Sequence, residues 1–307
     1  MSLYQNQAGL HISKSKLQIV EVLNKNGRFI LGNVDEEYFP DVLSFSDRES
    51  KIISILQNAF SELVSRKPLK SSSVSFSLPN SSFKSFDIPF DKSLAKDDLL
   101  DHLKWELSVL YPDLKSGDYL IRNIPVTTGD YREGNNIIVF VLEKNILKTL
   151  YKFCQRNNLN LKFVDHEHMS ANSIIFMEND KDKESLFCSI YINDNYFSIM
   201  LLHQFKPVFF RNRQFHSPEE FMTVAKNELD NLRSLVGDLS HISASYLHGS
   251  VYSENTFEQI NLLSDLNFTY SNPFSRIEKG DNLKDSELIR VKYNSFCAAA
   301  GVAFRVA

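Results

Sequence analysis

The feature that most constrains this chain is a pattern of three short apolar runs separated by polar turns, which occurs twice. In the second half, the runs Leu186–Ile192, Tyr196–Leu202 and Pro207–Phe210 are rich in β-branched and aromatic residues. The first turn, Asn193–Asn195, contains residues that tolerate positive φ. This pattern predicts a meander of three antiparallel strands.

The same pattern lies near the N-terminus. Here the runs and the turns between them are Leu10–Ile12, Ser13–Lys16, Leu17–Leu23, Asn24–Arg28 and Phe29–Val34. Two meanders with near-equal spacing predict a duplicated, two-lobed fold, in which the meanders superpose about a pseudo-two-fold axis with a cleft between them. Helical and strand patterns alternate in both halves, so the predicted class is α/β with mixed sheets.

Composition and charge make two kinds of interaction unexpected, with nucleic acid and with the interior of a membrane. The chain has 307 residues and a formal charge of −4, and its basic residues form no stripe. Nucleic acid is therefore an unexpected partner. The N-terminus is polar and the apolar runs are too short to cross a bilayer, so we expect no direct membrane insertion. The three cysteines, Cys154, Cys188 and Cys297, lie in apolar contexts and predict buried thiols in a cytoplasmic protein.

Glycine is scarce, and this excludes several motifs. Only ten of the 307 residues are glycine, a smaller share than the roughly 7% found in average proteins. Because no two lie closer than five positions apart, neither a G-x-G-x-x-G fingerprint nor a G-x-S-x-G nucleophile elbow is present.

Several helix ends carry sequence signals. Ser46-Asp-Arg-Glu49 and Ser217-Pro-Glu-Glu220 read as capping boxes, and Ser93 is placed to cap a helix that ends at Tyr111. The last predicted helix is Val291–Phe304, whose run of three alanines followed by Gly301 favours close backbone packing.

Asp165-His-Glu-His168 is the one cluster with residue types that bind metals. One interpretation is a transition-metal site that uses Asp165, His166 and His168 in a metal-dependent hydrolase. The other is that Asp165 caps a helix with both histidines in its first turn. Residues two apart on a helix do not face the same way, which favours the second interpretation and predicts no metal site.

Four segments, in order along nearly the whole chain, resemble one family. Gly9-Leu-His-Ile-Ser-Lys-Ser-Lys-Leu-Gln-Ile-Val-Glu21 is similar to G-I-D-I-G-S-S-S-V-K-A-V-E. Ser77-Leu-Pro-Asn80, followed by Leu103-Lys-Trp-Glu106 and Tyr111-Pro112, is similar to A-L-P-G and I-R-W-E…Y-I-P-F. Asn272-Pro-Phe274 and the closing Ala298–Arg305 complete the set. The chain thus resembles the PilM proteins of type IV pilus assembly, which belong to the actin-like ATPase superfamily with the cell-division protein FtsA.

The resemblance implies a two-lobed actin-like ATPase fold of the duplicated ribonuclease H-like kind. Residues 1–184 would form the first lobe and 185–307 the second. The implied subdomains are 1A (1–76 and 143–184), the insertion 1C (77–142), 2A (185–216 and 275–307) and 2B (217–274). The implied partner is the cytoplasmic tail of a membrane-anchored, PilN-like protein, bound in a groove between 1A and 1C, which would hold this cytoplasmic chain at the inner face of the membrane. Self-association stays open.

The resemblance also implies nucleotide between the lobes, but the nucleotide motifs are altered. His11 and Ser13 stand where the family carries the Asp and Gly of the first phosphate turn, and Tyr191 and Asn193 replace the D and G of the second. A side chain in each turn blocks close backbone approach to phosphate, and both metal-organising carboxylates are lost.

What remains of the implied nucleotide pocket is Ser13, Lys14, Asn193, Asp194, Gly249 and Ser250. These residues either contact a phosphate or are solvated turn residues, and the missing carboxylates favour the second interpretation. We therefore expect no cofactor, although ATP with Mg²⁺ is the one that the resemblance implies. The leading hypothesis is a non-catalytic scaffold that recruits the tail of a partner in a pilus, secretion or cell-envelope machine. The alternative is a divergent ATP-binding ATPase.

Trp105, the only tryptophan, marks a candidate partner surface. On its helix, one face carries Leu99, Leu100, Leu103, Leu107, Leu110 and Tyr111. Trp105 lies nearly opposite that face, beside Leu94 and Val109. Either a second layer of the same subdomain covers these three residues, or they bind the partner. The usual burial of tryptophan within its own chain favours the first interpretation.

Overall fold

The structure is a computed structural model that describes residues 6–25, 28–115, 117–126, 135–178, 185–250, 254–280 and 283–305. Strands and helices alternate in both halves of the chain. The strands are β1 (Gln7–Ile12), β2 (Lys16–Lys25), β3 (Arg28–Tyr38), β4 (Ser73–Leu78), β5 (Phe83–Pro89), β6 (Tyr119–Val126), β7 (Asn136–Glu143), β8 (Asn160–His166), β9 (Leu186–Asn193), β10 (Tyr196–His203), β11 (Lys206–Gln214), β12 (Ile242–Gly249), β13 (Phe268–Tyr270) and β14 (Glu278–Lys279). The helices are α1 (Glu49–Arg66), α2 (Lys96–Leu110), α3 (Lys144–Arg156), α4 (Glu167–Glu178), α5 (Pro218–Val236), α6 (Glu254–Ser264), α7 (Glu287–Arg290) and α8 (Cys297–Phe304).

The two predicted meanders lie in two different sheets. The first sheet has the strand order β14-β3-β2-β1-β4-β8, and the second has the order β11-β10-β9-β12-β13. In each, an antiparallel meander is extended by parallel strands, β4 and β8 in one and β12 and β13 in the other. The prediction of two meanders of one design in an α/β fold with mixed sheets is confirmed. Their superposition about a pseudo-two-fold axis stays a prediction.

The central strands are buried along their length, which explains why they read as continuous apolar runs. Every residue of β1, β4 and β9 is buried. Such strands have both faces covered by other layers. On the first sheet, α1 and α3 supply one core through residues such as Leu56 and Phe153, and α4 with the C-terminal helix α8 supplies another.

The two central helices approach the first sheet closely because small residues line their contact. A Cβ built on Gly9 of β1 would overlap the Ala299 carbonyl of α8, and one built on Gly301 of α8 would overlap the Ser170 carbonyl of α4. These glycines therefore set the spacing between β1, α8 and α4. The expectation of close backbone packing at Gly301 is confirmed.

A small third sheet, in the order β5-β7-β6, follows β4 in the chain. Leu103 and Leu107 of α2 pack on the face that carries Val139, whereas Phe140 on the opposite face packs against Phe210 of the second half. The small sheet thus separates α2 from the rest of the molecule. The subdomain bounds given above stay predictions.

Two of the three predicted helix caps are wrong. The first residue of α1 is Glu49 and that of α2 is Lys96, and neither Arg48 nor Ala95 before them makes a side-chain capping bond. The predicted cap Ser93 instead belongs to a turn in which its N–H donates to Asp91 at 2.8 Å. The third capping box is confirmed, since the Ser217 hydroxyl accepts the Glu220 N–H at 3.2 Å and Pro218 opens the helix.

The predicted C-terminal helix is also wrong in its extent. A short helix, α7, ends at Arg290, a single 3₁₀ turn covers Tyr293–Phe296, and α8 starts only at Cys297. The break lets Asn294 turn inward, where its side-chain amide donates to the Gly249 carbonyl at 2.8 Å. A tertiary contact therefore overrides the local helical pattern. No helix within the described ranges has both the length and the apolar content that crossing a membrane requires.

Candidate functional site

The turns of the two meanders meet in the cleft between the halves of the chain. The Lys14 backbone N–H donates to Asp194 Oδ2 at 2.9 Å, and the Lys14 ammonium donates to Asn195 Oδ1 at 2.7 Å. The same ammonium lies 5.3 Å from the centre of the Tyr196 ring. Asp194 has a φ of +50°, a turn conformation that Asp and Asn adopt more readily than most residues. The first turn is therefore bound directly to the second.

Glu167 is the centre of a buried polar network beneath these turns. It is the first residue of α4 and 1% exposed. Its Oε1 accepts the Asn80 backbone N–H at 2.7 Å, and its Oε2 accepts the Asn193 side-chain amide at 2.9 Å. Oε2 also lies 3.1 Å from His11 Nε2. A buried carboxylate is tolerated only with several such partners, so Glu167 ties three other segments together.

His11 bridges Glu167 to a second polar group. Its Nδ1 lies 3.2 Å from Gln18 Oε1, and the Gln18 side-chain amide nitrogen donates to Glu36 at 3.1 Å, which fixes the orientation of the amide. Both ring nitrogens of His11 thus face oxygen acceptors.

Tyr191 fills the position of the second altered carboxylate. Burial, and after it the charge of Glu167, raises the pKa of the Tyr191 phenol well above its usual value. The phenol therefore stays neutral and cannot replace the charge of a metal-binding Asp. The two positions at which the resemblance implies carboxylates accordingly hold an imidazole and a neutral phenol.

The structure brings four of the six predicted nucleotide residues together. Ser13 and Asn193 are buried. The Ser13 hydroxyl accepts hydrogen bonds from the Lys16 and Ser15 N–H groups, and the Asn193 side-chain amide donates to Glu167. Lys14 and Asp194 bind each other. None of the four is a solvated turn residue with free polar groups, so the interpretation favoured from the sequence is wrong for them: their side chains are used within the chain.

Gly249 and Ser250 line a separate cavity of about 390 Å³. Gly249 has a φ of +91°, and a Cβ at this position would overlap the Ile192 carbonyl, which accepts the Ser250 N–H at 2.9 Å. Lys16 and Lys292 also line the cavity. Both ammonium groups are bound by the Glu36 carboxylate, at 2.8 and 3.4 Å.

The charge of Glu36 is stable in this setting. Burial raises the pKa of Glu36, but the hydrogen bond and the charge of Lys16 outweigh it, so that the net shift is downward. Glu36 therefore stays ionised and neutralises cations that could otherwise bind a phosphate.

A magnesium nucleotide does not fit this arrangement as it stands. Within the described ranges, no group of three or more His, Cys, Asp or Glu side chains is placed to hold a metal ion. The carboxylates at the turns, Glu167 and Asp194, already accept hydrogen bonds from N–H groups. A Mg²⁺-bound phosphate would have to displace these contacts.

The cluster Asp165-His-Glu-His168 does not form a metal site either. Asp165 forms an ion pair with Arg305, and the His168 ring lies between the hydroxyls of Ser198 and Ser189, at 2.8 and 2.9 Å. The expected cap is also wrong, since Nδ1 of His166 rather than Asp165 accepts the His168 N–H in the first turn of α4. Burial lowers the pKa of His166 to about 3 and that of His168 well below its usual value, so both rings are neutral.

A groove separates the small sheet from the first sheet. It has a volume of about 400 Å³. Phe83, Phe140, Phe163 and Met169 give it apolar walls, while Arg122, Asp165 and Arg305 supply charge. The Arg305 guanidinium lies 5.7 Å from the centre of the Phe163 ring. The groove thus combines apolar surface with two cations.

The predicted partner residues lie outside this groove. Trp105 is 59% exposed, and Val109 on the same helix and Leu94 before it are also exposed. The interpretation that a second layer covers Trp105 is therefore wrong, because α2 is the outermost layer on its face of the small sheet. The inner face of the same helix also differs from the prediction: Leu103 and Leu107 are buried, whereas Leu100 and Leu110 are exposed.

Glu167 is the central residue that the sequence reasoning did not single out. In the sequence it is distinguished only by having a histidine on either side. The one available signal was its position directly after β8, because functional groups in α/β sheets gather at the carboxyl ends of parallel strands. Its partners His11 and Asn193 lie far away in the chain, so no local pattern connects them.

No protein-family model matches the chain, and no curated protein matches it. Among solved structures, it is similar to a chain of the PilM-PilN type IV pilus biogenesis complex, with a TM-score of 0.71, 15% identity and coverage of 98% of both chains. It is also similar to a protein from Bacteroides thetaiotaomicron VPI-5482 with an actin-like ATPase fold and unknown function, with a TM-score of 0.53, 11% identity and coverage of 86% of this chain and 90% of that one.

The ethanolamine utilization protein EutJ from Carboxydothermus hydrogenoformans gives a TM-score of 0.50 at 9% identity, with coverage of 98% of this chain and 89% of that one. These similarities show the fold: the chain has the actin-like ATPase fold, and the arrangement of a PilM-type protein extends over nearly its whole length. The fold that the sequence predicted is confirmed.

Proposed function

Starting from a chain with the actin-like ATPase fold, we propose a PilM-like scaffold that is not an active ATPase. It recruits the cytoplasmic tail of a membrane-anchored, PilN-like protein during assembly of a pilus, secretion apparatus or other cell-envelope machine. The observation that carries the proposal is the use of the phosphate-turn groups within the chain, above all the bond from the Lys14 N–H to Asp194 at 2.9 Å.

The loss of hydrolysis follows from what the altered turns can supply. Phosphoryl transfer requires Mg²⁺ ligands and free donors for the phosphate oxygens. In this cleft the donors of Lys14 and Asn193 already have acceptors, and an imidazole stands at His11. Because the Asp194 carboxylate already binds the first turn to the second, a nucleotide is not required to hold the two halves of the chain together.

Recruitment of a tail is supported by the groove between the small sheet and the first sheet. The similar PilM-PilN structure is a complex, and the resemblance of this sequence to the PilM proteins implies a partner in a groove between 1A and 1C. The apolar walls and the two arginines of this groove suit a peptide with apolar residues and at least one carboxylate. Through such a partner the chain would lie at the inner face of the membrane.

The exposed strip formed by Trp105 and Val109 on α2, with Leu94 just before the helix, is the second candidate surface for the tail. A large exposed aromatic residue flanked by aliphatic residues is typical of an interface anchor. Because α2 and the groove lie on opposite faces of the small sheet, one short peptide in extended contact with either surface leaves the other free.

Titration of the full chain with a tail peptide tests these surfaces. The peptide is the cytoplasmic N-terminus of a membrane-anchored, PilN-like protein from the same organism, and affinity is measured by calorimetry. The variants are Arg122→Glu in the groove and Trp105→Ala on α2, with Arg156→Glu and Tyr151→Ala as matched exposed controls on α3.

A hot-spot substitution is expected to weaken binding by about 2 kcal/mol or more, whereas the controls should have little effect. Loss with Arg122→Glu alone identifies the groove, and loss with Trp105→Ala alone identifies the strip. Unchanged affinity in both variants, or no binding by the wild-type chain, contradicts recruitment at these surfaces.

The alternative function is a divergent ATP-binding protein. The cavity of about 390 Å³ at Gly249 and Ser250, which also contains Lys16 and Lys292, favours it. Calorimetry with ATP and Mg²⁺ decides between the two. The scaffold proposal expects no binding in the low micromolar range. Binding in that range would replace the proposal with the ATP-binding alternative.

A further inference from the structure

A second cleft, separate from the groove and from the cavity at Gly249, lies between β5 of the small sheet and β11 of the second sheet. Its volume is about 480 Å³, within the range of binding sites. It is lined by consecutive residues of both strands, Phe83 to Asp87 on one side and Phe210 to Arg213 on the other. Neither the proposed function nor the nucleotide motifs involve it.

The walls of this cleft are the open edges of two strands. Among the described residues, β5 pairs only with β7, and β11 pairs only with β10. Successive side chains of a strand point to opposite faces, so consecutive residues line one cavity only when the strand presents its edge to it. An open edge carries a row of backbone N–H and C=O groups that can pair with another strand.

The side chains around the cleft are mainly cationic. Lys84, Arg211 and Arg213 line it, against a single carboxylate, Asp87. That carboxylate is 3% exposed and lies 3.3 Å from Arg211 Nη1. Arg213 binds Glu228, which is also almost fully buried, at 2.7 Å. Arg211 and Arg213 are thus each paired with a buried carboxylate, which leaves Lys84 as the unneutralised charge that faces the cleft.

Of the three cations that line the cleft, Lys84 has the fewest contacts within the chain. Its ammonium lies 5.8 Å from the centre of the Tyr111 ring, and it forms no ion pair within the part of the chain that the structure describes. An ammonium held beside a ring at an open strand edge is available to a carboxylate from outside. It also offers a substitution that leaves no buried charge behind.

We propose that this cleft binds an extended acidic segment of a second protein, which adds as a strand to the open edge of β5 and places a carboxylate against Lys84. Main-chain hydrogen bonds supply affinity in this mode of recognition, and side-chain contacts supply specificity. A free phosphate compound matches the cleft less well, because it offers only acceptors whereas a strand edge presents donors and acceptors alternately.

Four probes test the proposal by fluorescence anisotropy with the full chain. The first is an end-blocked eight-residue peptide of alternating Glu and Thr. The second carries Gln in place of Glu, and the third keeps Glu but has N-methylated amides at alternate positions. Inorganic tripolyphosphate serves as a competitor. The expected result is binding of the first peptide, with losses of at least about tenfold for the second and third.

Variants locate the site. Lys84→Glu is expected to weaken binding of the Glu peptide at least about tenfold, because a like charge would then face its carboxylates. The matched control is Lys206→Glu, an exposed lysine at the far end of β11, which should change affinity by less than about twofold. Circular dichroism of both variants checks that they fold.

Three outcomes overturn the proposal. One is equal binding of the N-methylated peptide or full displacement by tripolyphosphate, which would reduce the cleft to a site of simple ionic attraction. Another is equal effects of Lys84→Glu and Lys206→Glu. The last is the absence of binding by the Glu peptide at millimolar concentration. None of these results depends on the tail peptide, so the proposed scaffold function is tested separately.

Discussion

The Asp194 carboxylate accepts the Lys14 backbone N–H at 2.9 Å, across 180 positions of the sequence. This bond joins the turn of one meander to the turn of the other. In an actin-like fold these turns are where the resemblance implies phosphate contacts, so a carboxylate of the chain itself supplies the anion there. The halves of the chain are thus held together by an internal contact.

Asp194→Ala is therefore expected to loosen the cleft. Removing a charge-assisted hydrogen bond should lower the free energy of unfolding by about 1–2 kcal/mol. Urea unfolding measures this change, and hydrogen exchange should show faster exchange at the Lys14 amide. Asp265→Ala is the control, because Asp265 makes only an exposed pair with Arg233. Equal effects of the two substitutions would contradict the role of the bond.

Glu167→Ala should be one of the most destabilising single substitutions in the chain. It leaves His11, the Asn193 amide and the Asn80 N–H buried without their acceptor. We expect a loss of about 3–5 kcal/mol in the free energy of unfolding.

Glu167→Gln keeps an acceptor oxygen and should lose less. Glu49→Ala, at an exposed position on α1, should change stability by at most about 1 kcal/mol. Urea unfolding of the three variants provides the comparison. A loss near 1 kcal/mol in Glu167→Ala would mean that the network is not a structural centre.

The buried histidines predict the response of stability to acid. Burial lowers the pKa of His248 to about 3, as it does for His166, whereas an exposed histidine titrates near 6.5. Above pH 6.5 these rings are neutral in both states, so their protonation does not change the free energy of unfolding. As the pH falls from 6.5 towards 3, only the unfolded chain takes up protons, so stability falls by up to about 1.4 kcal/mol per pH unit for each ring.

His248→Leu should weaken this dependence and raise stability at neutral pH. Within the described part of the chain, neither ring nitrogen of His248 has a hydrogen-bond partner, so the apolar side chain removes an unsatisfied donor and acceptor. We expect a gain of about 1 kcal/mol. Urea unfolding between pH 4 and pH 7 measures both effects, with the exposed His216→Leu as control. A steeper acid dependence in His248→Leu would contradict the assignment.

Gly301→Ala tests the spacing between α4 and α8. The added methyl group would overlap the Ser170 carbonyl, so the helices must separate. We expect a loss of about 2 kcal/mol or more, although helix propensity alone predicts a gain of about 1 kcal/mol. Thermal and urea unfolding show whether the substitution lowers or raises the free energy of unfolding. Ala300→Gly in the same helix is the comparison, because it removes a methyl group and creates no overlap.

The sequence was sufficient for the elements that rest on local pattern. Both meanders, the strands of the small sheet and the capping box at Ser217 follow from the spacing of apolar residues and turn residues. Such patterns act through neighbours in the chain, where the period of a strand or helix determines which side chains share a face. The small residues around Gly301 likewise predict the close packing that the structure shows.

The helix ends show where local pattern fails. Ser93 has the residue type of a cap, yet Asp91 engages its N–H in a turn instead. The last predicted helix divides because Asn294 bonds to Gly249, 45 positions away. Propensity is a weak preference that one buried hydrogen bond can outweigh.

Local residue patterns are enough to predict the strands, the repeated meander and the loss of two carboxylates from the phosphate turns. The partners of the side chains at these turns depend on contacts between distant parts of the chain. His11 meets Glu167 across 156 positions, and Lys14 meets Asp194 across 180. The period of a strand or helix relates only residues that lie close together in the sequence. Such pairs form because burial removes water from a polar group, which must then find a partner among whatever residues the fold brings near.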